Sequence, residues 1–391
     1  MKKIDAITKS TVIKRFFFTL FLFASVAIPS QALADCNGQS EQYLTFIVTY
    51  YQTPDSPYNF SAPTDSRCSL VFKNGDPVCR VRMRGTLYYP RPTPGEPIPP
   101  VAPKFPAILV NHGSGANFEA FRKDCEIANY FVPKGYIVFV PFRRGYGDDD
   151  PPFPFEPDDP NHPEDISDKS TGIYMEDFVT DFLKANPTYI HQTNCPTGDG
   201  GCYRAELFER EARTEIVDYA MNYLKNRPDV KKDAEGLPLV AIMGNSYGGA
   251  VTVLANEIST AHRAAVGFSV ASQQWAVADC PPNNQTCGKA VQRRLLTAAG
   301  NAKKPAFYLQ AKWDYDTRPT IDLAYAHAYG GSDHKHGQRF IASIFPFQNP
   351  CPDPDVPCTR EDYQGVHTGF FDDTHRWGPY VLEFIRDYGV K

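Results

Sequence analysis

The chain has 391 residues, of which 42% are hydrophobic, 22% charged and 13% aromatic, a globular composition that excludes a disordered polymer. Forty lysines and arginines face 45 aspartates and glutamates, for a formal charge of −5; no dense basic run occurs beyond the first fifteen residues, so nucleic acid is not expected as a partner. This length holds one large domain or two ordinary ones.

Residues 1–34 read as a secretory signal peptide. Lys2, Lys3, Lys9, Lys14 and Arg15 precede an apolar run over 16–28, and Ala32-Leu33-Ala34 supplies the small-x-small pattern of a cleavage site. The run is short for a membrane span, and no later stretch reaches about twenty apolar residues, so no transmembrane segment is expected. The expectation is a secreted or periplasmic protein whose mature domain occupies 35–391 and carries a charge of −9. Leu33-Ala34-Asp35-Cys36 loosely resembles a lipoprotein cleavage box, with Asp35 where a small residue belongs.

All ten cysteines follow residue 34. Cys68/Cys79, Cys195/Cys202, Cys280/Cys287 and Cys351/Cys358 enclose short turn-forming loops, which brings their Cα atoms within disulfide reach. Cys36 and Cys125 remain and form the fifth expected pair. An export signal implies an oxidising compartment where such bridges persist. The spacing is not that of a zinc site.

Segments 44–52 and 84–89 alternate β-branched and aromatic residues, as antiparallel strands at a sheet edge do. Eight prolines between Pro90 and Pro106 then make a stiff surface connection. Short, nearly continuous apolar runs follow at 107–110, 136–142, 239–243, 264–271, 306–309 and 340–345. Apolar on both alternating faces, they suit the central strands of a sheet covered on both sides. Between them, Phe208, Ala212, Ile216, Tyr219, Tyr223 and Leu224 recur at helical spacing and stop at Pro228, predicting an amphipathic helix over 206–226. A last helix is bracketed by Pro379 in its first turn and Gly389 as its C-terminal cap. The alternation predicts one α/β domain with a mostly parallel sheet and helices on both faces. The exception is an acidic, proline-rich segment over 148–205, with nine carboxylates and no lysine or arginine between Asp148 and Asp168; it reads as an insertion or lid.

The chemistry centres on Gly244-Asn245-Ser246-Tyr247-Gly248, a G-x-S-x-G motif between a strand and a helix. A serine on so sharp a turn is strained with its hydroxyl projecting, and small flanking residues avoid a clash. A serine hydroxyl needs a base to take its proton and donors for the oxyanion. His112-Gly113-Ser114-Gly115, following the strand at 107–110, supplies an oxyanion loop, so the amides of Ser114 and Tyr247 are the expected donor pair; His112 reads as structural. The acid belongs after the strand at 306–309, where Asp314 is preferred to Asp316. The base belongs between the strand at 340–345 and the last helix. There His367 sits in a small and aromatic setting that suggests a packed loop tip, and His375 sits among Asp372, Asp373 and Arg376.

The order Ser246, Asp314, His367 with these motifs resembles the α/β-hydrolase fold, and within it the dienelactone hydrolase-like branch bordering the prolyl-oligopeptidase-like serine peptidases. Arg143-Arg144-Gly145-Tyr146-Gly147 and His367-Thr368-Gly369-Phe370-Phe371 add to the resemblance, which covers roughly 105–388. It implies two-step acyl transfer by Ser246, His367 and Asp314. Dienelactone hydrolase itself uses a cysteine nucleophile, absent here, and lacks the acidic insertion and the bridges. The leading expectation is a secreted serine hydrolase acting on a small-molecule ester, with a serine peptidase and a non-catalytic binding protein as alternatives. No cofactor or metal is expected: His334-x-His336 reads as an exposed loop and the carboxylates of 148–168 as a solvated face. Trp275 follows the strand at 264–271 and reads either as pocket lining or as core packing. Asn59-Phe60-Ser61 and Asn284-Gln285-Thr286 match glycosylation sequons.

Overall fold

The computed structural model describes residues 40–51, 69–73, 76–90, 103–113, 124–141, 205, 208–209, 211–275, 287–330, 340–351 and 359–391. The expected signal peptide, all but the last residue of the 148–205 insertion, Ser114, His334-x-His336 and both sequons lie outside them.

Among the described residues nine strands form one sheet: β1 (Ser40–Tyr51), β2 (Ser69–Lys73), β3 (Asp76–Tyr89), β4 (Ala107–Asn111), β5 (Ile137–Pro141), β6 (Val240–Asn245), β7 (Ala264–Phe268), β8 (Ala306–Ala311) and β9 (Phe340–Phe345). Their order is β1-β3-β5-β4-β6-β7-β8-β9, with β2 paired to β3. From β5 onward every neighbouring pair is parallel; β1, β2 and β3 join antiparallel at one edge. The central strands are buried along their whole length, because alternate side chains enter two different cores. Ile108, Val110, Ala241 and Met243 belong to one, and Ala107, Leu109, Val240 and Ile242 to the other.

Helices cover both faces. One carries α1 (Asp124–Phe131), α7 (Arg360–Asp372) and α8 (Thr374–Asp387). The other carries a helix running Glu211–Met221 into α2 (Asn222–Asn226), then α3 (Tyr247–Ile258), α5 (Cys287–Gly300) and α6 (Arg318–Gly330); α4 (Ser272–Trp275) is a single turn after β7. Each fully buried large side chain, such as Phe370, contributes roughly 1.5–3 kcal/mol of burial. Among the described residues no helix is long and apolar enough to cross a membrane.

Several expectations are corrected. The helix predicted over 206–226 is π-helical over Glu211–Met221 and continues as α2 to the expected end at Asn226. Phe208, Ala212, Ile216, Ala220 and Leu224 are all buried at a strict spacing of four, which lies between the 3.6 residues of an α-turn and the wider turn of a π-helix, so the apolar pattern does not separate the two. Pro379 lies inside α8, not in its first turn, since the buried stripe starts earlier, at Thr374 and Trp377. The expected strand over 264–271 stops at Phe268, and β2 joins the edge, where no strand was expected. Gly389 does cap α8: it is left-handed at φ 86, its amide donates to the Arg386 carbonyl (3.0 Å) and that of Val390 to the Ile385 carbonyl (2.9 Å).

Cys125 and Cys351 are disulfide-bonded. The side chains of the other eight cysteines lie outside the described residues, so the expected pairings do too.

Candidate active site

Strand β6 runs straight into Ser246, and α3 begins at the next residue. Ser246 has φ 54 and ψ −115, a left-handed position costing a non-glycine residue about 1–3 kcal/mol. Three backbone bonds hold it there. Its amide donates to the Phe268 carbonyl (2.8 Å), and its carbonyl accepts from Ala250 (3.1 Å) and from Ala271 (3.1 Å). The flanking glycines are required by contact. A Cβ on Gly244 would stand 2.2 Å from the Gly248 carbonyl oxygen, and one on Gly248 would stand 2.0 Å from that of Asn111. The N-terminus of α3 is thus pressed onto the ends of β4 and β6, where its dipole favours negative charge.

The end of β4 borders the same turn. Asn111 donates from Nδ2 to Thr252 Oγ1 on α3 (2.8 Å). His112 is buried, with Nδ1 donating to the Gly113 carbonyl (2.9 Å). A Cβ built on Gly113 would lie 3.6 Å from Ser246 Cβ, so the start of the glycine loop is adjacent to the serine. Tyr247, the first residue of α3, is fully buried, with Phe208 edge-on at 4.4 Å.

Beyond the end of β8, Asp314 is buried, its side chain wholly so. Its Oδ1 accepts from the Tyr315 amide (2.7 Å), from His367 Nδ1 (2.9 Å) and from Ser272 Oγ (3.1 Å); Oδ2 lies 3.1 Å from the same Nδ1. Burial works to raise the Asp314 carboxyl, but the His367 ring and the hydrogen bonds it receives outweigh that and hold it below the ordinary carboxylate range. The rival candidates face elsewhere. Asp316 is engaged by the amide and guanidinium of Arg318, and His375 is exposed, with its ring edge-on to Tyr130 at 5.8 Å.

His367 is not on a loop tip. It lies in α7, whose start is fixed by a capping box in which Thr359 Oγ1 accepts from the Asp362 amide (3.3 Å) and Asp362 Oδ2 accepts from the Thr359 amide (2.8 Å). The Tyr315 ring packs edge-on at 5.6 Å against the imidazole, and Tyr315 Oη donates to Gln364 Oε1 (2.7 Å), tying the β8 loop to α7.

Sequence reasoning missed the turn after β7. Ser269 and Ala271 both have positive φ, 47 and 48, and Ser269 donates to the Leu309 carbonyl of β8 (2.8 Å). The following residue, Ser272, is fully buried with Oγ 3.3 Å from His367 Nδ1. The signal was present in Ser269-Val270-Ala271-Ser272, but its apolar members extend the strand pattern and hide the turn. Trp275 is buried within the core cluster on the α3 face, and its carbonyl accepts from Gln292 Nε2 (3.1 Å), the setting of a packing residue.

The serine, the acid and the intervening turn leave from the carboxyl ends of three adjacent parallel strands, β6, β8 and β7, the rim where open α/β sheets bind ligands. A strained serine between strand and helix, at the centre of a mostly parallel sheet with antiparallel strands at one edge, decides the architecture. The fold is that of the α/β hydrolases. Solved structures that the chain is similar to include an acylaminoacyl peptidase of Pyrococcus horikoshii (14% identity, TM-score 0.46, 90% of this chain and 42% of that one). Others are an esterase of Pyrococcus furiosus (10% identity, TM-score 0.47, 92% and 96%) and an S-formylglutathione hydrolase of Staphylococcus aureus (11% identity, TM-score 0.38, 86% and 98%). The chain thus spans under half the length of the peptidase. No family model matches the sequence, and no curated protein matches it. Among the described residues no group of three His, Cys, Asp or Glu stands ready to hold a metal ion.

Proposed function

We propose that the chain is a serine hydrolase that cleaves carboxylic esters, with Ser246 as nucleophile, His367 as general base and Asp314 as its partner. The observation that carries this reading is the contact chain at the rim. The strained Ser246 is bonded through its carbonyl to Ala271, and the neighbouring Ser272 touches both members of a buried imidazole-carboxylate pair.

Asp314 occupies Nδ1 of His367, which leaves Nε2 to take the proton of Ser246 Oγ as that oxygen bonds to the substrate carbonyl carbon. The Tyr247 and Ser114 amides receive the oxyanion. Collapse breaks the ester C–O bond, and the imidazolium returns its proton to the leaving alkoxide. Water, deprotonated by the same nitrogen, then releases the acid and restores the Ser246 hydroxyl. A carboxylate kept ionised beside the ring stabilises the imidazolium in both steps. The His-Gly-Ser-Gly and Arg-Arg-Gly-Tyr-Gly motifs support the dienelactone hydrolase-like branch.

The test is covalent. A fluorophosphonate probe should label Ser246, and Ser246→Ala should lower kcat on p-nitrophenyl esters by about 10⁴-fold or more with the fold intact. Unlabelled Ser246, or retained turnover in the variant, overturns the assignment; faster hydrolysis of aminoacyl arylamides than of esters makes the protein a peptidase instead.

We also propose export through the 1–34 signal and the pairs Cys68–Cys79, Cys195–Cys202, Cys280–Cys287, Cys351–Cys358 and Cys36–Cys125. Disulfide-bonded sulfurs at Cys125 and Cys351 support an oxidising compartment.

A further inference from the structure

We propose that Ser272 is a positioning residue for the acid-base pair, its hydroxyl fixing the orientation of Asp314 and of the His367 ring from the strained turn after β7. This rests on the hydrolase reading and extends it to a residue outside the Ser-His-Asp set.

The hydroxyl stands 3.1 Å from Asp314 Oδ1 and 3.3 Å from His367 Nδ1. Its one proton goes to the carboxylate, which only accepts, and a lone pair is left facing Nδ1–H. It is therefore the third corner of a triangle whose other corners are the acid and the base. Ser272 has no solvent exposure, so no water competes for either contact.

The backbone around it is built for placement. Ser269 and Ala271 sit in the left-handed region without being glycine, a conformation that persists only where surrounding bonds over-determine it. Those bonds are the Ser269 amide to the Leu309 carbonyl (2.8 Å), the Ala271 amide to the Ser246 carbonyl (3.1 Å), the Ser272 amide to the Ser269 carbonyl (3.1 Å) and the Trp275 amide to the Ala271 carbonyl (2.8 Å). The turn is thereby anchored on the strand that leads to the acid and on the nucleophile itself. A purely structural turn needs no hydroxyl at its end; here the strain delivers one to the place where the imidazole must be oriented.

The charged and titratable groups that the described contacts bring against His367 are Asp314 from the β8 loop and Tyr315 beside it. Removing the Ser272 proton donor leaves the Asp314 charge less neutralised, which strengthens its attraction for the imidazolium. It also frees the ring to turn away from the serine.

The experiment compares wild type, Ser272→Ala and Ser246→Ala on a p-nitrophenyl ester from pH 5 to 9, with circular dichroism melts alongside. Ser272→Ala should lower kcat about tenfold, the size of one charged hydrogen bond, leave KM unchanged, and move the acid limb of kcat/KM to higher pH. Ser272→Cys, near in shape but a weak donor, should move the limb the same way and serves if the alanine variant does not fold. A loss of kcat with an unmoved limb in both variants, or wild-type kinetics in either, overturns the role of Ser272. Should Ser246→Ala keep its turnover, the hydrolase reading itself falls, an outcome distinct from the others.

Discussion

Two histidines are buried at opposite ends of β7, and their partners differ. His262, just before the strand, has no exposure, and its Nε2 donates to Asn256 Oδ1 (2.9 Å). That amide is occupied in turn by the backbone of Lys304, accepting from its N–H (3.0 Å) and donating to its carbonyl (3.0 Å). Burial, with Lys304 adding to it, pushes the His262 ring down to about 3, so it stays neutral and serves as a fixed hydrogen-bonding block. His367, beyond the other end, is also buried but faces an ionised carboxylate. Burial is common to the two rings; what differs is the charge of the group across the hydrogen bond, a neutral amide for His262 and a carboxylate for His367.

The sharpest break of this contrast is Asp314→Asn, which gives His367 the same neutral amide that His262 has. It should lower kcat by about 10³–10⁴-fold with little change in melting temperature, measured on the same ester panel. Next is Gly248→Ala. At the turn that carries Ser246, the new Cβ would stand 2.0 Å from the Asn111 carbonyl oxygen, a clash that only a shift of backbone relieves. The expected loss is at least about 3 kcal/mol of unfolding free energy, read from urea denaturation, and a soluble variant of wild-type stability would show that the elbow is looser than these contacts require. The smallest effect concerns His262. Its folded value lies below the unfolded one, so the unfolded chain binds the proton first and stability drains away as pH falls below about 6.5. At pH 5 its contribution to that loss is about 2 kcal/mol. His262→Gln should flatten this part of the stability-pH curve while leaving ester turnover unchanged.

The central strands were legible because a sheet covered on both faces leaves no polar alternation, and β4, β6, β8 and β9 fall where short apolar runs were found. The elbow was legible because glycine at 244 and 248 answers a steric demand that no other residue meets. Asp314 and His367 were reachable from chain order, but their surroundings were not. The helix carrying His367 contains Gly365 and Gly369 and reads as a loop; only its capping pair, Thr359 and Asp362, marks it in the sequence. The edge hairpin was marked by Asn74-Gly75 between Lys73 and Asp76, which are paired. Ser272 was illegible for a different reason: a lone serine acquires meaning only from what stands 3 Å away, and both neighbours come from distant parts of the chain.

Mounting the imidazole on α7 has a mechanical consequence. Side chains on a loop drift with that loop, whereas this ring shares the stiffness of a capped segment wedged between the β8 loop and Phe345 and Phe347, whose rings meet Phe370 at 5.5 and 5.9 Å. Displacing its Cα takes the unwinding of a turn of that segment, so local melting of α7 would carry His367 away from Asp314, and slow hydrogen exchange at the amides around residue 367 would report how rarely that happens.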